Sequence, residues 1–326
     1  MLVLSGAEVR ALLDLDALVE ALRTAMIDLS AGRVSAPPRV AALVPERDAM
    51  LLAMPAYLPS AGALASKLIS LFPGNRDQPT HQALICCFDP ATGTPAAVMD
   101  GGYLTAARTA GGSALATRLL ARDDAGDVAV VGTGVQAEAH ARALARLPGV
   151  RTVRIAGRDP AKAHLLAEEL AAGGVPAAAA TSIEDAVRAA DVVCAGTHAT
   201  SPVLRRDWLR PGTHVNSVGY NPSGDGELDT ATIRDALVVV ESRAAALAPP
   251  PAGAIELHRA IERGAIEAGH VAAEIGEVAA GTTAGRADGS QLTVYKSVGV
   301  AAQDAAAAAL VLAAAQRQGV GTTVSL

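Results

Sequence analysis

The chain has 326 residues, 51% of them hydrophobic and 18% charged, enough for two domains or for one large α/β domain with additions. Its net charge of −6, with no dense Lys/Arg run, argues against nucleic acid as a partner, because non-specific binding to phosphates needs clustered positive charge. Cys86, Cys87 and Cys194 make neither a CxxC nor a disulfide framework, and the seven histidines include no metal-pair spacing and no HExxH, so no metal is expected.

Residues 7–30 place Val9, Leu12, Leu13, Leu18, Leu22 and Met26 at helical spacing, which predicts a helix. Charges at Glu8, Arg10, Asp14, Asp16 and Glu20 speak against a secretory signal there. Beyond the link SAPPRV come short apolar runs (MLLAMPAYLP, ALASKLISLFPGN, QALICCFDP, GTPAAVMDGGYL) punctuated by Gly, Pro and Asn, the pattern of a small antiparallel sheet. A helix is then expected through Leu120, with Thr105 as its N-cap.

From Asp127 the rhythm changes. The strand VAVVG leads to a helix from Gln136 to about Leu147, the strand VRTVRIAGR to a helix from Pro160 to Ala171, and further strands fall at DVVCAGT, HVNSVG and ALVVVES. Alternation of this kind implies a parallel, doubly wound, Rossmann-type α/β domain. A last helix is expected from Val298 to about Arg317. Its apolar tract after Asp304 reaches about two-thirds of the roughly 20 residues that cross a bilayer, so no membrane partner and a cytoplasmic location are expected.

The stretch VAVVGTGVQAEAHARAL meets the needs of a dinucleotide turn. Gly132 permits the tight strand-to-helix turn, Gly134 lets backbone amides approach a pyrophosphate, and the small Ala137 lets helix and strand pack closely. The anion would rest on the helix N-terminus, where free N–H groups and the helix dipole favour negative charge. At the end of the second strand the usual acidic position is Gly157, followed by Arg158 and Asp159. An Arg there accommodates a ribose 2′-phosphate, which favours NADP(H) as the cofactor and leaves NAD(H) open through Asp159.

Arg39, Lys67 and Arg108 are cations in apolar or small-residue segments. Buried cations need partners, and a substrate carboxylate would serve. Lys67 precedes an FPGN turn; then follow PTH, the hairpin DPATGTP and MDGGYLTAARTA, and later VGTGVQA, VNSVG and TVYKSVGVAAQD. In these segments, which together span most of its length, the chain resembles the ornithine cyclodeaminase/μ-crystallin family, whose members include amino-acid cyclodeaminases, alanine dehydrogenases, ketimine reductases and pyrroline-2-carboxylate reductases. The resemblance implies a homodimer with an α+β substrate-binding and dimerisation domain, residues 1–120 completed by the C-terminal helix 302–326, beside a dinucleotide-binding domain, residues 121–301. It implies that Arg39, Lys67 and Arg108 bind the carboxylate of an amino or imino acid, with Arg108 also near the cofactor. It further implies cofactor contacts at Thr80, at Val135 and Gln136 on the pyrophosphate, at Thr197, and at Ser217, Val218 and Ser297 on the nicotinamide side. His81 and Lys296 are expected to be structural, or solvated in the case of Lys296.

One position departs from the family. In the cyclodeaminases a catalytic Asp stands where this chain has Asn221. A carboxylate accepts protons during amine oxidation and ammonia loss; an amide only hydrogen-bonds. Asp225, four residues on, would need a loop rearrangement to replace it. Reduction of a preformed cyclic imine demands less, since hydride comes from the nicotinamide and the imine is either already protonated in water or protonated through Lys67. The expectation is therefore an NAD(P)H-dependent reductase of cyclic imino acids such as Δ1-pyrroline-2-carboxylate or Δ1-piperideine-2-carboxylate. Cyclodeamination, amino-acid dehydrogenation and ligand binding without turnover stay open as alternatives.

Overall fold

The computed structural model describes residues 1–221 and 224–325. The chain divides into two compact units, Met1–Arg108 with Gly299–Leu326, and Thr109–Val298. Leu326, the last residue of the expected C-terminal segment, lies outside the described residues, as do Pro222 and Ser223 of the loop that carries Asn221.

The first unit opens with strand β1 (Leu2–Leu4) and two helices, α1 (Gly6–Leu12) and α2 (Leu15–Ser30). A single helix over 7–30 was expected; the break has a local cause. Leu13 takes an extended conformation, and the Asp14 side chain accepts from the Ala17 amide, so α2 starts afresh with its own cap. Five strands follow: β2 (Val40–Val44), β3 (Ala49–Leu58), β4 (Ala63–Leu71), β5 (His81–Phe88) and β6 (Pro95–Asp100). These pair antiparallel in succession. The sheet is larger than the sequence suggested, because β1 adds parallel to β6 and β15 (Thr322–Thr323) adds antiparallel to β1.

Side chains alternate across these strands. Met54, Ile85 and Met99 point into the core, which α2 and α11 (Ala301–Gln318) cover with Leu18, Leu22, Met26, Ala308 and Val311. The other face leaves Leu51, Tyr57, Leu84 and Phe88 exposed.

Helix α3 (Gly102–Leu120) runs across the division after Arg108. It starts earlier than expected: the Asp100 carboxylate accepts from the Gly102 and Tyr103 amides, so Thr105 is inside the helix and does not cap it. Likewise α11 begins at Ala301, three residues beyond the expected Val298.

In the second unit every pairing of the sheet is parallel, in the order β13-β12-β14-β11-β10-β7-β8-β9. The strands are β7 (Asp127–Val131), β8 (Thr152–Ala156), β9 (Ala177–Ala179), β10 (Val192–Ala195), β11 (His214–Ser217), β12 (Leu237–Val240), β13 (Val271–Glu274) and β14 (Thr293–Lys296). The runs VAVV, VVCA and VVV are buried on both faces, as a sheet covered by helices requires. Those helices are α4 (Val135–Leu144), α5 (Pro160–Ala172), α6 (Ile183–Arg188), α7 (Thr230–Asp235), α8 (Arg243–Ala246), α9 (Ile255–Glu262) and α10 (Ile275–Ala280). The fold is thus a doubly wound Rossmann-type α/β unit and an α+β unit. TVYKSVG, which had no strand expectation, forms β14 between β11 and β12 in the middle of the sheet. Strand order reverses at β7 and β10, the switch point whose carboxyl end takes ligands in such sheets.

Candidate active site

Gly132 follows β7 with φ +128°, a conformation L side chains rarely adopt; a Cβ there would lie 2.9 Å from the Gly196 carbonyl oxygen at the end of β10. Gly134 is the N-cap of α4 and supplies no side-chain cap, and a Cβ on it would meet nothing within 4 Å. Val135, in the first turn, is 68% exposed. The first amides of α4 have no intrahelical acceptors, and the Gln136 Oε1 is buried without a hydrogen-bond partner. Open space above Gly134 and the free amides fit the pyrophosphate of a dinucleotide. His140, fully buried, secures this helix: its Nδ1–H donates to the Gln136 carbonyl at 2.7 Å, and its Nε2 lies 2.9 Å from the Ser113 hydroxyl.

At the end of β8, a Cβ on Gly157 would lie 2.9 Å from Thr133 Cγ2, so a side chain there would have to displace that methyl group of the glycine turn. Asp159 is committed to capping α5, accepting from the Ala161 and Lys162 amides, while Arg158 is exposed. That leaves Arg158 as the charged side chain at this strand end with a free choice of partner geometry.

The carboxyl ends of β10 and β11 meet over a buried carboxylate that the sequence reading did not single out. Glu227, 2% exposed, accepts from the Thr197 amide at 2.6 Å, the Gly219 amide at 2.7 Å and the Ser217 hydroxyl at 3.1 Å. Lys296, expected to be solvated or structural, is 1% exposed and structural: its Nζ donates to Glu256 Oε1, the Gly219 carbonyl and Ser217 Oγ. Burial raises the Glu227 carboxyl above its ordinary value; the Lys296 charge opposes this and Glu256 adds to it. The hydroxyls of Ser217 and Ser297 are both turned inward, the former to Glu227 and the latter to Glu241 at 2.5 Å, which leaves their backbones as the groups that could meet a ligand. Val218 Cγ2 stands 3.6 Å from where a Cβ on Gly196 would be. Asn221 donates from Nδ2 to the His198 carbonyl at 3.0 Å. Asp225 pairs with Arg263 at 3.1 Å and Arg259 at 3.5 Å, which ties it away from the part of the family aspartate.

In the first unit, β4, α3 and α11 bring together Lys67, Arg108 and Asp304. Lys67 Nζ lies 2.9 Å from Asp304 Oδ1 and 2.8 Å from Oδ2. Arg108 donates from Nε to the same Oδ1 at 2.9 Å and from Nη1 to Gln303 Oε1 at 3.1 Å. Lys67 and Asp304 are each 2% exposed. Arg39 donates to the Gly299 carbonyl at 2.7 Å, and Gly299, at φ +73°, sits where a Cβ would be 3.0 Å from both terminal nitrogens of Arg108. Three cations against one carboxylate leave the cluster with excess positive charge. Burial, the largest influence, pushes the Lys67 ammonium down to about 8; the Asp304 charge opposes it, and Arg108 and Arg39 push the same way as burial. Burial also works to raise the Asp304 carboxyl, yet Arg108 and Lys67 outweigh it and hold that carboxyl below its usual range.

Sequence reasoning singled out Lys67 and Arg108 as cations for a substrate carboxylate; the structure brings both to Asp304, which that reasoning missed together with Gln303 and Gly299. The signal was present in GVAAQD, an acidic residue opening an otherwise apolar helix. Thr80 is apart from this cluster in hydrogen bonding, with its hydroxyl 3.0 Å from His81 Nδ1.

Ketimine reductase mu-crystallin of Mus musculus is 36% identical over 299 residues, 90% of each chain. The structure of Thermococcus litoralis Δ(1)-pyrroline-2-carboxylate reductase in complex with NADH and L-proline superposes with a TM-score of 0.93 at 33% identity, covering 99% of this chain and 100% of that one. An archaeal alanine dehydrogenase dimer with bound NAD superposes with a TM-score of 0.89 at 31% identity, covering 100% and 99%. The profile of the ornithine cyclodeaminase/mu-crystallin family matches residues 1–319, and the chain belongs to that family.

Proposed function

We propose that the protein is an NAD(P)H-dependent reductase of cyclic imino acids, converting Δ1-pyrroline-2-carboxylate or Δ1-piperideine-2-carboxylate to proline or pipecolate. The observation that carries this is the buried Lys67 ammonium, brought close to neutrality in a cluster of excess positive charge. Arg39 and Arg108 suit a substrate carboxylate, since guanidinium donors match its two oxygens. A bound nicotinamide supplies hydride to the imine carbon. Lys67 supplies the proton that the nitrogen takes, a general acid matched to neutral pH. Asn221 cannot titrate, so the proton-accepting part that cyclodeamination needs has no carboxylate at that position.

Glycines 132 and 134 and the amides of Val135 and Gln136 would hold the pyrophosphate. Thr197, Val218 and the backbones of Ser217 and Ser297 would line the nicotinamide side, with Thr80 and Arg108 as further cofactor contacts. Exposed Arg158 beside Gly157 favours NADPH over NADH through a 2′-phosphate contact. The exposed face bearing Leu51, Tyr57, Leu84 and Phe88 fits a second copy of the chain, and one similar protein, an archaeal alanine dehydrogenase, is a dimer. Three free cysteines accord with a reducing, cytoplasmic setting.

The test is NAD(P)H consumption by purified protein over a panel of both cyclic imines, pyruvate with ammonia, and ornithine with NAD⁺. Turnover of the imines with no ammonia release from ornithine is expected. Ammonia release without imine reduction would establish cyclodeamination instead, and dinucleotide binding with no turnover across the panel would make the protein a binder.

A further inference from the structure

We propose that Asp304 is a positioning residue for the proton-transfer step: through its contacts with Lys67 and Arg108 it keeps Lys67 protonated among other cations, ready to supply the proton that the imine nitrogen takes. The proposal rests on the reductase reading and concerns the same cluster. Its ground is geometric. Lys67 is enclosed, and the charged groups that face it come from three places: Asp304 on α11, Arg108 on α3 and Arg39 before β2. Two of the three are cations. A buried lysine among guanidinium groups gives up its proton unless an anion is adjacent, and Asp304 is that anion, with both oxygens within 2.9 Å of Nζ. A substrate carboxylate arrives only with the substrate, so the proton has to be secured beforehand.

The step balances as follows. Hydride from the reduced nicotinamide forms the new C–H bond, the π pair of the C=N bond moves onto nitrogen, and the Lys67 proton forms the N–H bond. The imine is reduced, the nicotinamide is oxidised, and Lys67 is left neutral and takes a proton from solvent. Asp304 stays ionised throughout, since Arg108 continues to donate to it.

The chain is well suited to a direct test, because Lys67, Lys162 and Lys296 are its only lysines. Labelling the lysine ε-carbon with ¹³C gives three NMR signals, assigned with Lys67→Arg and Lys162→Arg, and a pH titration reads Lys67 with no substrate present. The unsubstituted protein should show a Lys67 midpoint of about 8. Asp304→Asn should lower that midpoint by about one pH unit or more, a tenfold loss of ammonium above it. The alkaline fall of kcat/KM should move with it, while KM for the imino acid at neutral pH does not rise, because the cluster has gained positive charge. An unmoved midpoint overturns the proposal, and so does a raised KM with an unmoved pH profile, the mark of a merely structural role. Asp304→Glu keeps the charge and should keep Lys67 protonated; if Asp304→Asn fails to fold, a fall in the Lys67 midpoint of Asp304→Glu overturns the proposal by itself. Absence of imine turnover would refute the reductase reading and leave the NMR arm standing, so the two failures are separable.

Discussion

Replacing Glu227 by leucine tests how the ends of β10 and β11 are held. Leucine approximates the volume of the glutamate but accepts no hydrogen bond, so the half-buried Thr197 and Gly219 amides lose the acceptors they reach at 2.6 and 2.7 Å. An unsatisfied buried donor costs about 1–3 kcal/mol, and water reaches these amides in part, which puts Glu227→Leu at the lower end of roughly 2–6 kcal/mol. Ser217 can rotate, and Lys296 keeps Glu256, so neither adds much. Glu227→Gln preserves one acceptor and turns an NH₂ group against the other amide, for a loss of about 1–3 kcal/mol. Urea unfolding followed by circular dichroism measures both. Because the folded-state carboxyl of Glu227 is raised, its contribution is present below the ordinary value of 4.5 and is lost as pH rises through the raised value. The difference between the unsubstituted protein and Glu227→Leu should therefore narrow on going from acid towards neutral pH. Dinucleotide affinity, read by NAD(P)H fluorescence, should weaken about tenfold, roughly 1.4 kcal/mol, as the Thr197 and Val218–Gly219 segments loosen. Proline affinity should persist, since Arg39, Lys67 and Arg108 take no part in this network. If Glu227→Leu unfolds within about 1 kcal/mol of the unsubstituted protein, less than one orphaned donor accounts for, the amides have other acceptors and the reasoning fails.

Two further expectations are more local. Gly299→Ala forces a side chain into the left-handed region at about 1–2 kcal/mol and places Cβ 3.0 Å from Arg108 Nη1 and Nη2; steady-state kinetics should show KM for the imino acid raised about tenfold with kcat less affected, and an unchanged KM would detach Arg108 from carboxylate binding. Arg158→Glu should raise KM for NADPH by about 10–100-fold, the value of one charge-assisted phosphate contact, with KM for NADH far less affected; equal changes for both cofactors would remove Arg158 from the 2′-phosphate.

How much of the site was legible depended on how its parts are spaced along the chain. Gly132, Gly134 and Ala137 lie within one strand–turn–helix, so their requirements are local and the sequence pattern carries them. Lys67 and Arg108 stand in long, specific segments and were found with them. Asp304 escaped notice because an acidic residue at a helix start reads as ordinary capping until its neighbour is known. Glu227 was hidden for a similar reason: GDGELD reads as a turn, and nothing in it announces that the carboxylate is enclosed. The helix ends were misplaced where a side chain chose the cap, as Asp100 and Asp14 did.

The sequence by itself determined the two fold types, the glycine turn that meets a dinucleotide and the cations suited to a carboxylate, because hydrophobic period, turn chemistry and charge are properties of short segments. Only the tertiary structure decided the partners of those cations. Lys67 meets Asp304 across a separation of 237 residues and Arg108 meets it across 196, contacts made by packing α11 on the inner face of the sheet. The charge a buried group carries depends on which neighbours that packing supplies, and no local pattern specifies them.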